Sequence, residues 1–560
     1  MMPAGRSRRF VLVDPCLRGP GSHPFHYAAL VLAAAARQGC DCLLVAHRDC
    51  RTAPAGCRML PAFTHTAYSK YTLAGGLDRL AASGRPPLLP EWPWTIRHAA
   101  RRRAERVTAF AREIAPALAD LAAGDVVLVA TASELEAEGL ARAIAALRPP
   151  SGVGWHVQYH LPILAGFAGD FARQEGRLAA ARAALGAAAA AAPPHVVHHH
   201  ATTEELAAQY GRLVPEPVGT LPYPVDVPPR RDRHAAAPLR VACLGDARPE
   251  KHSARIAALV AAVADDPQLA GRLRFAVQTN PGYPASSRRP EHVAVTRSLA
   301  ALARAAAAGA PVDLLGGPLD AAAYATALAA ADVVLLPYDQ GRYRSRCSGV
   351  VLEALAAGAV PILTGGGWMA RQLAAPLAAH AAAIVARART LATRRIDRPR
   401  IGRRPLVMEC PSLPQADGGS GTRALLVELA WGEAGLDLAP VRVAMTGGGS
   451  RPATVLAAGG PTTAIFPVAA DAADGLRVEC TATCGATTAE PATLTLRELS
   501  LEGPVPTAAV GLVIDSPDDV PAALREIVRH AGHYLATAAA YADPARGTAA
   551  ADAVVRRLLE

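Results

Sequence analysis

Short uninterrupted apolar runs alternate along this chain with longer stretches of helical period, and glycine or proline marks most of the joins. Residues 9–14 form the first run. A glycine-containing turn (17–23), a helical stretch (27–38) stopped at Gly39 and a second run (42–46) follow. Strand, glycine turn, helix, strand is how a doubly wound sheet opens, and runs apolar at every position suit strands covered on both faces. The alternation continues through a run at 125–130, a helix over 134–147, a strand at 155–160 and an alanine-rich helix over 179–192, ended by Pro193 and Pro194. A strand at 195–200 and a helix over 201–210 close this half, and residues 228–238, rich in proline and arginine, read as a linker. The pattern then restarts with strands at 239–245, 274–278, 312–316 and 332–337, a helix over 320–331, and a helix running from Ser348-Gly349 to Gly358 before a strand at 360–363.

After Leu373 the period changes. Short β-like runs at 424–431, 441–446, 462–468, 476–480 and 492–501 are separated by Gly, Pro, Asp and Ser, which predicts an antiparallel sandwich. A Rossmann-type strand returns at 510–515, and Ser516-Pro517 with two acids opens the next helix. The expected fold class is therefore α/β: two Rossmann-like domains with an all-β sandwich inserted in the C-terminal domain. The expected boundaries are 1–227, 239–375, 405–504 for the insertion, and 508–560 for the completion of the second domain.

A chain of 560 residues is too long for one core. Ten scattered cysteines with no pair of C-x-x-C motifs argue against a structural zinc site. His198, His199 and His200 are adjacent, but the remaining ligands of a metal site are missing, so no metal is expected. No apolar run of 18 residues and no cleavable leader are read, which places the chain in the cytoplasm. Net charge is +10, and almost all of the basic residues are arginine: the lysines are Lys70 and Lys251. No nucleic-acid module is present. The dense basic run at 97–106 reads as a solvated helix face, with contact to a membrane surface or a phosphate-bearing acceptor as its functional alternative.

The local chemistry gathers at residues 343–363. A helix opening at Ser348-Gly349 presents unpaired amides and a positive dipole end, which suits a diphosphate. Glu353 accepts hydrogen bonds only, which suits vicinal sugar hydroxyls. Residues 332–363 resemble the donor-site segment of the family 4 retaining glycosyltransferases of the GT-B fold. Residues 245–251, Gly-Asp-Ala-Arg-Pro-Glu-Lys, resemble that family's diphosphate grip.

The resemblance implies a nucleotide-sugar donor held by Gly245, Arg248, Lys251, Ser345, Ser348, Gly349, Val350 and Glu353. It implies Lys251 and His160 in catalytic positions, with His160 facing the cleft. The acceptor, a glycan, a lipid-linked species or another molecule, would enter past a loop at Gly19, Gly21 and His23. No cofactor is implied. Two positions depart from the family: Ser345 replaces a glutamate that touches the donor sugar, and Asp246 replaces an arginine. These departures favour an alternative, a catalytically inactive GT-B-like protein with a carbohydrate-binding sandwich. Retention of Lys251 and Glu353 favours the enzyme.

Overall fold

The computed structural model describes residues 6–20, 23–67, 92–164, 174–191, 194–227, 238–396, 406–412, 422–430, 438–445, 450–452, 454–457, 462–468, 474–482, 492–501, 506, 508–548 and 550–560. Strands β1 (Arg9–Asp14), β2 (Asp41–His47), β3 (Arg58–Phe63), β4 (Val126–Ala132), β5 (Gly154–Tyr159), β6 (Val197–Ala201) and β7 (Gly219–Thr220) form one sheet in the order β3-β2-β1-β4-β5-β6-β7. Every pairing is parallel. The unbroken apolar runs follow from this burial. Val11 and Val13 enter the core on one face, while Phe10 and Leu12 enter the core on the other.

Strands β8 (Leu239–Cys243), β9 (Leu273–Gln278), β10 (Val312–Leu315), β11 (Val333–Leu336) and β12 (Val360–Thr364) form a second parallel sheet in the order β10-β9-β8-β11-β12. The strand Leu512–Ile514 completes it beside β12. Each sheet therefore reverses its strand order once, between β1 and β4 and between β8 and β11. Ligands of open α/β sheets bind in the crevice at such a reversal. The architecture is α/β with two Rossmann-like domains.

Between these parts lie β13 (Arg389–Ile396), β14 (Leu406–Ser412), β15 (Thr422–Ala430), β16 (Leu438–Met445), β17 (Ser450–Pro452), β18 (Thr454–Ala457), β19 (Thr462–Val468), β20 (Asp474–Ala482) and β21 (Ala492–Leu501). They pair antiparallel in two sheets, β13-β21-β15-β19-β18 and β14-β20-β16-β17. The first strand begins at Arg389, ahead of the expected opening at 405. Arg389 pairs with Glu498, so the chain leaves and returns along neighbouring strands. On the return, His380 Nε2 donates to the Pro506 carbonyl and His533 Nε2 to that of Ala508, each at 3.0 Å.

The chain ends on the first domain. The helix Ala551–Leu559 buries Val554, Val555 and Leu558 in that domain's core. Arg37 pairs with Asp552 at 2.8 Å, and Arg557 donates to the Thr220 carbonyl at 2.8 Å. Beneath this helix the His156 ring stacks on His198 and His200, with centroids 5.2 and 5.3 Å apart. Burial pushes His156 down to about 4 and His200 down to about 3, so both are neutral and one donates across their 3.0 Å contact. Among the described residues no group of His, Cys, Asp or Glu is placed to hold a metal ion. No described helix is long and apolar enough to cross a membrane.

Paired strands lie about 5 Å apart, so a short Gly/Ser linker spans the junction at Arg389 and Glu498. Replacing residues 389–498 with such a linker should leave a soluble protein whose two parallel sheets unfold cooperatively, as followed by circular dichroism. An insoluble product, or one without a cooperative transition, would show that the β region is part of the second domain's core.

Candidate functional site

The crevice between β8 and β11 carries the first half of the site. Gly245 follows β8 with φ +82°, a left-handed backbone that residues with a Cβ rarely adopt. Its amide donates to Gln278 Oε1 at 2.7 Å, which ties the turn to β9. A Cβ at this position would stand 2.6 Å from Lys251 Nζ and 3.9 Å from a Val350 methyl. The glycine thus lets an ammonium rest on the backbone beside the helix Gly349–Ala357. The 3₁₀ turn Pro249–Lys251 ends at His252, itself left-handed at φ 55°, and swings Lys251 back over the sheet. Nζ lies 5.2 Å from the Tyr338 ring centroid. Burial pushes the Lys251 ammonium down to about 8, and Arg248 pushes it the same way.

Arg248 is itself aimed. Asp246 accepts from Arg248 at 2.7 Å and from Asn280 at 2.8 Å. Burial opposes the ionised Asp246, but these bonds hold its carboxyl below the usual range. The Arg248 stem crosses Gly282, where a Cβ would stand 2.5 Å from Nε. Gly245, Asp246, Lys251, Gln278 and Tyr338 line a cleft that opens to solvent. The Tyr338 hydroxyl in its wall is buried without a partner.

Glu353 lies one turn into the Gly349–Ala357 helix and is 2% exposed. Tyr324 donates to its Oε2 at 2.5 Å. Burial pushes the Glu353 carboxyl up, while Tyr324 and Lys251 both favour its ionised form. Ser348 occupies the N-cap position with extended backbone but makes no side-chain capping bond, and Gly358 closes the helix at φ 78°.

The first domain supplies the facing wall. A Cβ at Gly349 would stand 3.4 Å from a Tyr223 ring carbon, so Tyr223 lies against the helix N-terminus. The Tyr223 ring is 5.3 Å from Tyr27 and meets His160 edge-on at 6.4 Å. His160 Nε2 donates to the Ala130 carbonyl at 2.7 Å, and burial pushes this imidazole down to about 4. The ring is therefore neutral, and the Ala130 bond fixes its lone pair on Nδ1.

Of the expected donor residues, Gly245, Lys251, Val350 and Glu353 come together, with Gly349 and Ser348 at the helix mouth and Arg248 alongside. Ser345 is buried against the first domain. Its carbonyl accepts from Thr203 Oγ1 at 2.7 Å, and Gln209 Nε2 lies 3.5 Å from its Oγ. Gly19 lies in the loop after β1, His23 is the first residue of the helix His23–Arg37, and Gly21 falls outside the described residues. The sequence did not single out Tyr324, Tyr338, Gly282 or Asp14. Asp14 closes β1 at the other crevice and accepts from the Cys16 amide at 2.8 Å and the Thr131 hydroxyl at 2.9 Å. Burial pushes its carboxyl up to about 7. A lone acid ending an apolar run was the available signal.

Fold and crevices define a two-domain Rossmann-like α/β protein. Compared with known proteins, the chain matches no family model and no curated sequence. Solved structures resemble part of it. A sucrose-phosphate synthase from Thermosynechococcus elongatus is 16% identical over 65% of this chain and 83% of that one, with a TM-score of 0.40. A UDP-forming α,α-trehalose-phosphate synthase from Burkholderia xenovorans is 11% identical over 66% and 86%, at 0.43. A lipopolysaccharide outer core galactosyltransferase is 12% identical over 65% and 83%, at 0.36.

Gly271 is also left-handed, at φ +71°, with nothing within 4 Å of the place a Cβ would take. Gly245→Ala and Gly271→Ala should each lose about 1–2 kcal/mol to backbone strain, and Gly245→Ala should lose more because Lys251 must also move. Thermal unfolding of the two variants checks this. Equal losses would mean that Lys251 does not rest on Gly245.

Proposed function

We propose that this chain is a glycosyltransferase of the GT-B type, moving a sugar from a nucleotide-sugar donor to a glycan, lipid-linked or other acceptor. The observation that carries the reading is the meeting of Lys251, a helix N-terminus without a side-chain cap, and buried Glu353 at the strand-order reversal of the second sheet. Backbone amides at a helix N-terminus and an adjacent ammonium are complementary to a diphosphate. When the glycosidic bond breaks, negative charge grows on that diphosphate, and preorganised positive groups stabilise it most at that moment. Arg248, aimed by Asp246, stands beside the same crevice and supplies a second cation.

Glu353 accepts from the ribose hydroxyls in this scheme. Tyr324 occupies one oxygen, but a carboxylate has about four acceptor positions in all, which leaves room for a diol. His160 offers Nδ1 toward the domain boundary, where the transferred sugar would lie, and the acceptor approaches over the loop carrying Gly19. Charge stabilisation falls to the protein's own groups, so no metal or cofactor is assigned a role. Family 4 membership and a cytoplasmic position near the inner face of the membrane belong to the same proposal. A second reading, a binding protein without transfer, is favoured by Ser345 and Asp246.

Glu353→Ala and Lys251→Ala should each weaken binding of a nucleoside diphosphate by about 1.5–3 kcal/mol, the loss expected for a charge-assisted hydrogen bond. Calorimetric titration measures it. Unchanged affinity in both variants would refute the donor-site assignment.

A further inference from the structure

One carboxylate at the domain boundary is left incomplete. Glu205 sits on the short helix Glu204–Tyr210 of the first domain, with its side chain 18% exposed. One oxygen pairs with Arg371 of the second domain. The other, Oε2, is buried and has no hydrogen-bond partner. A buried acceptor without a donor costs about 1–3 kcal/mol, and a carboxylate cannot relieve this by donating unless it takes up a proton. Burial pushes the Glu205 carboxyl up, and Arg371 opposes that.

The surroundings indicate which donor is missing. Glu205 and Gln209 are four residues apart, so they share a helix face. Gln209 reaches Ser345, at 3.5 Å from its hydroxyl, the outer limit of a hydrogen bond. Thr203, which caps the same helix, holds the Ser345 carbonyl. The charge of Arg344 also reaches Glu205, so the carboxylate lies near the segment that runs from Arg344 and Ser345 toward the helix Gly349–Ala357. Serine at 345 leaves that place without a carboxylate of the second domain's own, and Gln209, whose Oε1 is held by the Leu164 amide at 3.2 Å, meets the serine only at that outer limit.

We propose that Glu205 is a sugar-binding residue contributed across the domain boundary, its Oε2 accepting a hydroxyl of the sugar carried by the nucleotide donor. This rests on the donor-site reading given above. The ligand class is a polyol joined to a diphosphate, with the diphosphate at Lys251 and the polyol between Ser345 and Glu205. Entry of the hydroxyl parts Gln209 from Ser345. Arg371 keeps the carboxylate oriented from the other side.

The test compares sugar-bearing with sugar-free ligands. Calorimetry on the full chain would use UDP-glucose, UDP-N-acetylglucosamine and GDP-mannose, each beside its own nucleoside diphosphate. Glu205→Gln should weaken the preferred nucleotide sugar roughly tenfold or more, as loss of a charge-assisted hydrogen bond does, and leave the matching diphosphate unchanged. Arg371→Met removes the ion pair while keeping the carboxylate, and should have the smaller effect. Equal weakening by both variants would reduce Glu205 to an ion-pair partner and overturn the inference. So would an unchanged sugar-to-diphosphate ratio in Glu205→Gln, or a wild type whose affinity no sugar alters. A wild-type protein that binds no nucleoside diphosphate would instead overturn the donor-site reading, and this inference with it.

Discussion

An ammonium laid against backbone at the end of a buried parallel sheet is unfavourable unless negative charge answers it, because burial disfavours the charged form. Lys251 is in that position, and Gly245 is the residue that permits it. The folded chain binds this proton less tightly than the unfolded chain does, since its pKa falls from 10.5 to about 8. Stability at this group is therefore lowest below about pH 8 and recovers as pH rises toward 10.5. A protein that keeps such a lysine, with nearly every other basic side chain an arginine, holds it against its own stability. An anionic ligand would remove the conflict, and this is the physical basis of the proposed donor site.

The remaining structure holds that crevice shut against competing solutions. Glu353 lies close enough to favour the Lys251 charge, yet Tyr324 takes one of its oxygens. Asp246 is likewise occupied by Arg248 and Asn280. Both carboxylates act on the ammonium through space and favour its charge. The two domains are tied on either side of the site, by Thr203 to Ser345 and by the C-terminal helix returning to the first domain. Ties of this kind fix which first-domain groups, Tyr223 and His160 among them, stand opposite the helix Gly349–Ala357.

Much of this was legible because short-range pattern and long-range structure agree. The helix Gly349–Ala357 lies between Ser348 and Gly358, as cap chemistry predicts, and Thr462–Val468 and Ala492–Leu501 match their apolar runs end to end. Two of the strands that escaped did so for a physical reason. Arg58–Phe63 and Arg389–Ile396 are edge strands, where one side is unpaired and charged residues or proline are tolerated. Their sequences consequently lack an apolar run. Lys251 and Glu353 were legible as local motifs, but Tyr324, Gly282 and Glu205 acquire their roles only from partners distant in sequence. Ser345 shows the same limit: its contact with Thr203 joins residues 142 positions apart, which no spacing rule reveals.

The central claim, that Lys251 is a depressed ammonium awaiting an anion, has a direct measurement. The chain contains only Lys70 and Lys251, so reductive methylation with ¹³C-formaldehyde labels two lysine side chains and the amino terminus. In the free protein the Lys251 methyl signal should titrate near 8. Saturating nucleoside diphosphate should move that midpoint upward, toward or beyond the ordinary lysine value of about 10.4. A free-protein midpoint already at the ordinary value, or one that bound diphosphate leaves unmoved, would contradict the account.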